Sequence, residues 1–171
     1  QKNNGLGEFI PYLNLRAVEA GAQNILAPDQ SFDVVTCTQA LNHFGLGRYG
    51  DAIDYYGDQK ALKEFNRVLK KNSPLMLSVS VSEEFPRLDF NSQRIYNPDM
   101  VDEMLDTAGF EILTRLYIVY MGGWRHKDIC EDPQCKIDPE GLLEPISKDR
   151  KILKNVVEDQ QAYYLTISNK R

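Results

Sequence analysis

The chain has 171 residues, 42% hydrophobic and 26% charged, with a formal net charge of −5. That length suits a single domain with a core of its own. The acidic balance, with no basic run, argues against a nucleic-acid footprint or an anionic membrane surface, and no run of about 18 apolar residues is present to span a bilayer.

The N-terminal stretch is the least patterned. Gly5-Leu6-Gly7-Glu8 has glycines with no apolar strand ahead of them, and Arg16 to Ala22 reads as helix rather than strand. The missing initiator methionine favours a fragment or processed form. No secretory leader is visible, though a missing N-terminus would hide one, and the cytoplasm is slightly favoured. Ser31 to Thr38 is short, β-branched and nearly continuous in apolar character after Asp33, the pattern of a strand buried on both faces of a parallel sheet. Cys37, inside that run, reads as a buried core residue.

Asn42 to Asp58 follows, with four glycines, three aspartates, three tyrosines, a histidine and an arginine. Glycines let a backbone turn sharply or approach a ligand closely. Charged and aromatic groups on a loop after a buried strand occupy the place where open α/β sheets hold ligands. Gly45-x-Gly47-x-x-Gly50 also fits the dinucleotide pattern, but that pattern needs a strand directly before it and a helix directly after. Several residues intervene on each side here, so a loop that shapes a pocket is the favoured reading.

Leu62, Phe65, Val68 and Leu69 recur at helical spacing, with Lys63, Glu64, Lys70 and Lys71 on the other face. Asp58 is expected to cap that helix, the lysines to suit its last turn, and Asn72-Ser73-Pro74 to stop it. Leu75 to Val81 is a second apolar strand, which completes a parallel βαβ unit. Asn97-Pro98-Asp99 opens a helix through Leu105, closed by Gly109. Glu111 to Tyr120 is a long strand and Ala162 to Ser168 a final one.

Residues 121–147 form an insertion before that last strand. His126, Cys130 and Cys135 fall one ligand short of a zinc set, so free thiols, a Cys130–Cys135 disulfide and a metal remain open in that order. Trp124 reads as packing or a pocket lid. Lys148 to Gln160 reads as a charged helix with Ile152, Leu153, Val156 and Val157 inward.

With these segments the chain resembles the C-terminal half of a class I S-adenosylmethionine-dependent methyltransferase. The residues that carry the likeness are Ala27 to Val35, Gln39 to Phe44, Phe65 to Leu75, and Asp106-Thr107-Ala108-Gly109-Phe110-Glu111. The resemblance implies an α/β, Rossmann-like fold: parallel strands with a terminal antiparallel strand, and the N-terminal cofactor half largely missing. It also implies an exposed apolar edge at Phe32 to Thr38, an association hazard unless covered. Phe9 to Ile25, a second copy or a missing N-terminal half could cover it, and partial cover by the N-terminal segment is favoured.

A narrower resemblance rests on His43 to Asp51, Gly57-Asp58 and Phe90 to Tyr96. These resemble nematode and bacterial proteins of unknown function with an E-H-x-G-L-G-R-Y-G-D signature and a later F-N-x-H-R-I-Y-G. This chain departs from that pattern at Asn42, Gln93 and Asn97.

Within the loop, His43 is the candidate for proton transfer because its ordinary pKa lies near neutrality. Asp51 and Asp58 could orient it or bind an acceptor, as could Asp54. Arg48 and Arg94 could grip a carboxylate or phosphate, with Tyr49 and Tyr96 beside them. The plainer alternative has His43 ending the strand and Arg48 pairing with Asp51 or Asp58. The expected function is a methyltransferase-like domain using S-adenosylmethionine on a small-molecule or glycan acceptor, with a non-catalytic module of the same fold as the alternative. No resident metal is expected.

Overall fold

The computed structural model describes residues 9–10, 15–120, 146–155 and 161–171. Phe9–Ile10 (β1) and Leu15–Arg16 (β2) pair antiparallel as a ribbon outside the main sheet. Residues 17–20 are exposed and non-helical, which corrects the helix expected over Arg16 to Ala22. A short segment with no buried apolar face lacks the packing that stabilises most protein helices.

The main unit runs through Val35–Thr38 (β3), Gly57–Val68 (α1) and Pro74–Val81 (β4). It continues with the hairpin Arg87–Asp89 (β5) and Gln93–Ile95 (β6), then Pro98–Thr107 (α2) and Phe110–Tyr120 (β7). Ile146–Ser147 (β8) and Gln161–Lys170 (β9) complete it. The five-stranded sheet has the order β3-β4-β9-β7-β8. β3 and β4 are parallel, with Val35 opposite Leu75 and Cys37 opposite Leu77. β9 slots antiparallel between β4 and β7, pairing Tyr164 with Val79 on one side and Tyr117 on the other. This is the partial Rossmann-like architecture that the sequence implies.

Alternation along the strands sends Cys37, Leu75, Leu77, Val79 and Tyr164 to one face. There they pack with Ala61, Leu62 and Phe65 of α1 and with Val101 and Leu105 of α2. The opposite face, with Thr36, Met76, Ile167 and Thr114 in one row, carries an open depression of about 290 Å³.

The expectation that Ser31 to Thr38 is buried on both faces is corrected. Only Cys37 of β3 is buried, Phe32 and Val34 are exposed, and among the described residues no strand pairs with the outer edge of β3. The described part of the N-terminal segment pairs with itself and not with that edge. Ile25 to Asp29 instead lies along α1, where Arg67 donates to the carbonyls of Ile25 and Ala27 at 2.8 and 2.9 Å.

Helix α1 begins two residues earlier than expected, with Tyr56 rather than Asp58 at its N-cap. Asp58 therefore sits in the first turn and points inward rather than capping. The helix ends at Val68, so Lys70 and Lys71 lie beyond it; Arg67 supplies the basic group of the last turn, and Lys70 pairs with Asp33. Helix α2 follows its sequence signals: the Asn97 side chain accepts from the N–H of Asp99, Pro98 occupies the first turn, and Gly109 has φ +85°.

Of the segment after the insertion, Arg150–Asn155 forms a 3₁₀ helix with Leu153 buried. Arg150 pairs with Glu83 and Asp99, tying this turn to the end of β4 and the start of α2. Val156, Val157, Trp124, His126, Cys130 and Cys135 lie outside the described residues. No helix among the described residues is long and apolar enough to cross a membrane.

Candidate functional site

The chain leaves β3 through Gln39, makes a 3₁₀ turn over Leu41–His43, and then enters the glycine-rich loop at the carboxyl end of the parallel pair. That end is where open α/β sheets bind ligands. The loop is built on glycines in the left-handed region: Gly45, Gly47 and Gly50 have φ of +75°, +74° and +82°. At Gly45 a Cβ would lie 2.2 Å from the Asp54 carbonyl oxygen, so the loop closes on itself only without a side chain there.

Asp51 supplies the anion that fixes this turn. Its Oδ2 accepts from the N–H groups of Gly45 at 2.9 Å and Gly47 at 3.3 Å, and its Oδ1 from Tyr49 N–H at 3.2 Å. Desolvation pushes this carboxyl upward, but the N–H groups of Tyr49, Gly47, Asp51 itself and Gly45 together outweigh it and hold it below the ordinary carboxylate range.

His43 projects beside this turn. Its Nδ1 lies 2.6 Å from the carbonyl oxygen of Ser92, and its Nε2 lies 3.4 Å from Asn42 Nδ2. Tyr49 meets the imidazole edge-on at 5.9 Å between centroids. Arg48 does not turn to Asp51 or Asp58; its guanidinium donates to Ser92 Oγ at 2.7 Å and lies 5.7 Å from the Tyr49 ring centroid. His43, Phe44, Tyr49 and Asp51 line an open cavity of about 360 Å³ together with Glu19, Gly21 and Gln23.

Asp58, Arg94 and Tyr96 gather elsewhere. Arg94 donates to the carbonyls of Phe44 at 2.6 Å and Tyr55 at 3.0 Å, and its Nε lies 3.4 Å from Asp58 Oδ2. The Tyr96 hydroxyl donates to the same oxygen. All three side chains are buried. Burial first, and then the Asp58 carboxylate, push the Tyr96 phenol well above its ordinary value. This cluster borders a second cavity of about 300 Å³ with Leu88, Met100 and Met104. His43, Arg48, Tyr49 and Asp51 thus form one group and Asp58, Arg94 and Tyr96 another, joined through Arg94 and the Phe44 carbonyl, while Asp54 pairs with Lys60 at 2.6 Å.

Sequence reasoning missed the hairpin β5–β6 as a structural element. It brings Ser92 and Gln93 to the loop, and Gln93 Oε1 accepts from Asn42 Nδ2 at 3.3 Å. Asn42 and Gln93 are two of the positions at which the chain departs from the motif it resembles, and they touch. That coincidence was the available signal.

The described residues do not make a complete S-adenosylmethionine site. The cradle of backbone N–H groups that the loop offers is already filled by the Asp51 carboxylate. Among the described residues no strand followed by a glycine turn precedes β3.

Comparison with known proteins agrees with this partial architecture. The chain is 34% identical over 76 residues to the uncharacterized methyltransferase YcgJ of Bacillus subtilis; the match covers 44% of this chain and 26% of that protein, about a quarter of its length. A candidate methyltransferase from Bacillus halodurans superposes with a TM-score of 0.57 at 20% identity, covering 92% of this chain and 78% of that one. The 1,6-didemethyltoxoflavin-N1-methyltransferase of Burkholderia thailandensis, solved with 1,6-didemethyltoxoflavin and S-adenosylhomocysteine bound, superposes with a TM-score of 0.51 at 12% identity, covering 87% of this chain and 48% of that one. At these identities the solved structures speak for the fold alone. The profile of one family matches residues 28–118, more than half of the chain, and the chain therefore belongs to that family, described as Caenorhabditis protein of unknown function, DUF268.

Proposed function

We propose that this chain is the acceptor-side portion of an S-adenosylmethionine-dependent methyltransferase, acting on a small hydroxyl- or amine-bearing molecule, a glycan included. The observation that carries the reading is the cavity at the carboxyl end of β3, where His43 stands on a glycine loop fixed by Asp51. S-adenosylmethionine would supply an electrophilic methyl group, and elements beyond the described residues would hold most of it.

His43 accepts the proton that the acceptor's hydroxyl or amine releases. A positioned base of this kind contributes about 10²–10⁴-fold. Tyr49 and Arg48 at the rim orient the acceptor, and Asp51 positions the loop rather than moving protons, since both its oxygens already accept from backbone N–H groups. Asp58, Arg94 and Tyr96 hold the hairpin against the loop. Alignment of acceptor and donor is the main task left to the protein.

A non-catalytic module of the same fold is the second reading. The occupied backbone cradle favours it.

The test is methyl transfer from methyl-labelled S-adenosylmethionine at millimolar concentration to a panel of small alcohols, amines and glycosides. Labelled product that falls about 10²-fold or more in His43→Gln supports the proposal. Product unchanged by that substitution removes His43 from the reaction. Binding of a panel member without any product supports the non-catalytic module.

A further inference from the structure

Asn42 is 1% exposed, and its Oδ1 has no hydrogen-bond partner. Buried amide oxygens are rarely left in that state, so something stronger fixes the orientation of the side chain. Both neighbours of its Nδ2 explain it. One is Gln93 Oε1 at 3.3 Å and the other is His43 Nε2 at 3.4 Å. The imidazole is fixed independently from its other side. A carbonyl oxygen can only accept, so His43 Nδ1, 2.6 Å from the Ser92 oxygen, must carry a hydrogen. In the neutral ring Nε2 is then a bare lone pair that needs a donor.

Turning Asn42 over alone would set its oxygen against two acceptors at once, Gln93 Oε1 and the Nε2 lone pair. One unpartnered carbonyl is the lesser penalty. Turning both amides over would present Asn42 Oδ1 to Nε2, an arrangement that suits an imidazolium only.

We propose that Asn42 and Gln93 are positioning residues that, with the Ser92 carbonyl, hold His43 as the Nδ1–H tautomer with Nε2 free of hydrogen. Gln93 sets the direction of the Asn42 amide, and that amide presents a donor to Nε2. The hairpin β5–β6 therefore sets the tautomer of His43, and the Asn42 N–H must leave Nε2 before that lone pair can take the acceptor's proton. The inference rests on the role given above to His43. Other charged or titratable groups near this ring are Arg48, Tyr49 and Asp51 of its own loop, Glu19 across the cavity, and the Asp58–Arg94 pair behind Phe44.

Nitrogen-detected NMR of the imidazole in the full chain tests this without an activity assay. Neutral His43 is expected to show a hydrogen-bearing Nδ1 and an unprotonated Nε2. Asn42→Asp replaces the neutral amide with a carboxylate, which favours the imidazolium, and the titration midpoint of His43 is expected to rise by about one pH unit or more. Gln93→Leu frees the amide to turn and is expected to raise the midpoint by less. An Nε2–H tautomer in the unsubstituted chain, which needs no variant to fold, would overturn the proposal. So would a midpoint that Asn42→Asp leaves in place. The functional reading fails separately: an Nδ1–H tautomer together with methyl transfer indifferent to His43→Gln would retain this inference and sink that one.

Discussion

The Tyr96 hydroxyl donates to Asp58 Oδ2 at 2.8 Å and so joins the end of hairpin β5–β6 to the first turn of α1. The same oxygen lies 3.4 Å from Arg94 Nε, so one buried carboxylate answers both a phenol and a guanidinium. Removing it leaves Arg94 buried without its counter-charge. Asp58→Ala is expected to cost about 3–5 kcal/mol, and Tyr96→Phe about 1–2 kcal/mol, both measured by urea unfolding.

Alkaline stability follows from the same contact. The Tyr96 phenol is raised above its ordinary value of 10.0, chiefly by burial, and burial raises Tyr164 and Tyr117 in the same direction. A group whose pKa is higher when folded stabilises the fold below its unfolded pKa and loses that contribution as pH climbs. Unfolding free energy is therefore expected to fall as pH rises above about 10, the ordinary tyrosine value. Urea unfolding at pH values on either side of that point checks this.

The glycine loop gives a paired test. Gly50 has φ +82° and open space around a built Cβ, so Gly50→Ala pays only the left-handed conformation, about 1–2 kcal/mol. Gly45→Ala adds a Cβ 2.2 Å from the Asp54 oxygen and is expected to cost more and to displace the loop. Equal losses in the two variants, by thermal unfolding, would contradict the close approach.

Asp51 makes the loop sensitive to acid. Its carboxyl is held below the ordinary value of 3.8, because backbone N–H groups outweigh the desolvation that opposes them. Its contribution is present above that value and is lost as pH falls through the lower, folded pKa. The amide resonances of Gly45, Gly47 and Tyr49 are expected to hold their positions down to about pH 4 and to move together below it.

Cys37 offers a check on the sheet itself. Burial pushes its thiol up to about 11, partly offset by the backbone N–H groups of Leu41 and Ala40. Because the thiolate is the reactive form, Cys37 is expected to resist alkylation at pH 8 in the folded chain and to react after unfolding. Peptide mapping reads this residue separately from Cys130 and Cys135.

Much of this fold was legible in the sequence because local signals and burial agree. Asn97-Pro98-Asp99 and Gly109 mark the ends of α2 through their own backbone chemistry, and the apolar run at Leu75 to Val81 has only one place to go in a sheet. Where the reading failed, the deciding contact was distant. Asp58 looks like a cap in isolation, yet Arg94 and Tyr96, more than 30 residues on, draw it inward. The apolar character of Val34 and Val35 says nothing about whether a neighbour lies on the outer edge of β3. The short hairpin β5–β6 escaped because three-residue strands carry almost no periodicity, although its contacts with Asn42, His43 and Arg48 complete the site.

The central claim is that the cavity beside His43 receives the reacting end of a methyl donor, most of whose other contacts lie outside the described residues. Titration of the isotope-labelled chain with S-adenosylmethionine, followed by amide chemical shifts, tests it directly. The account predicts movements confined to Gly21 to Gln23, His43, Phe44, Tyr49 and Gly50, with a dissociation constant of about 1 mM or weaker. Saturation at micromolar concentration, or movements centred on Lys63, Met100 and Thr107 in the groove between the helices, would contradict it.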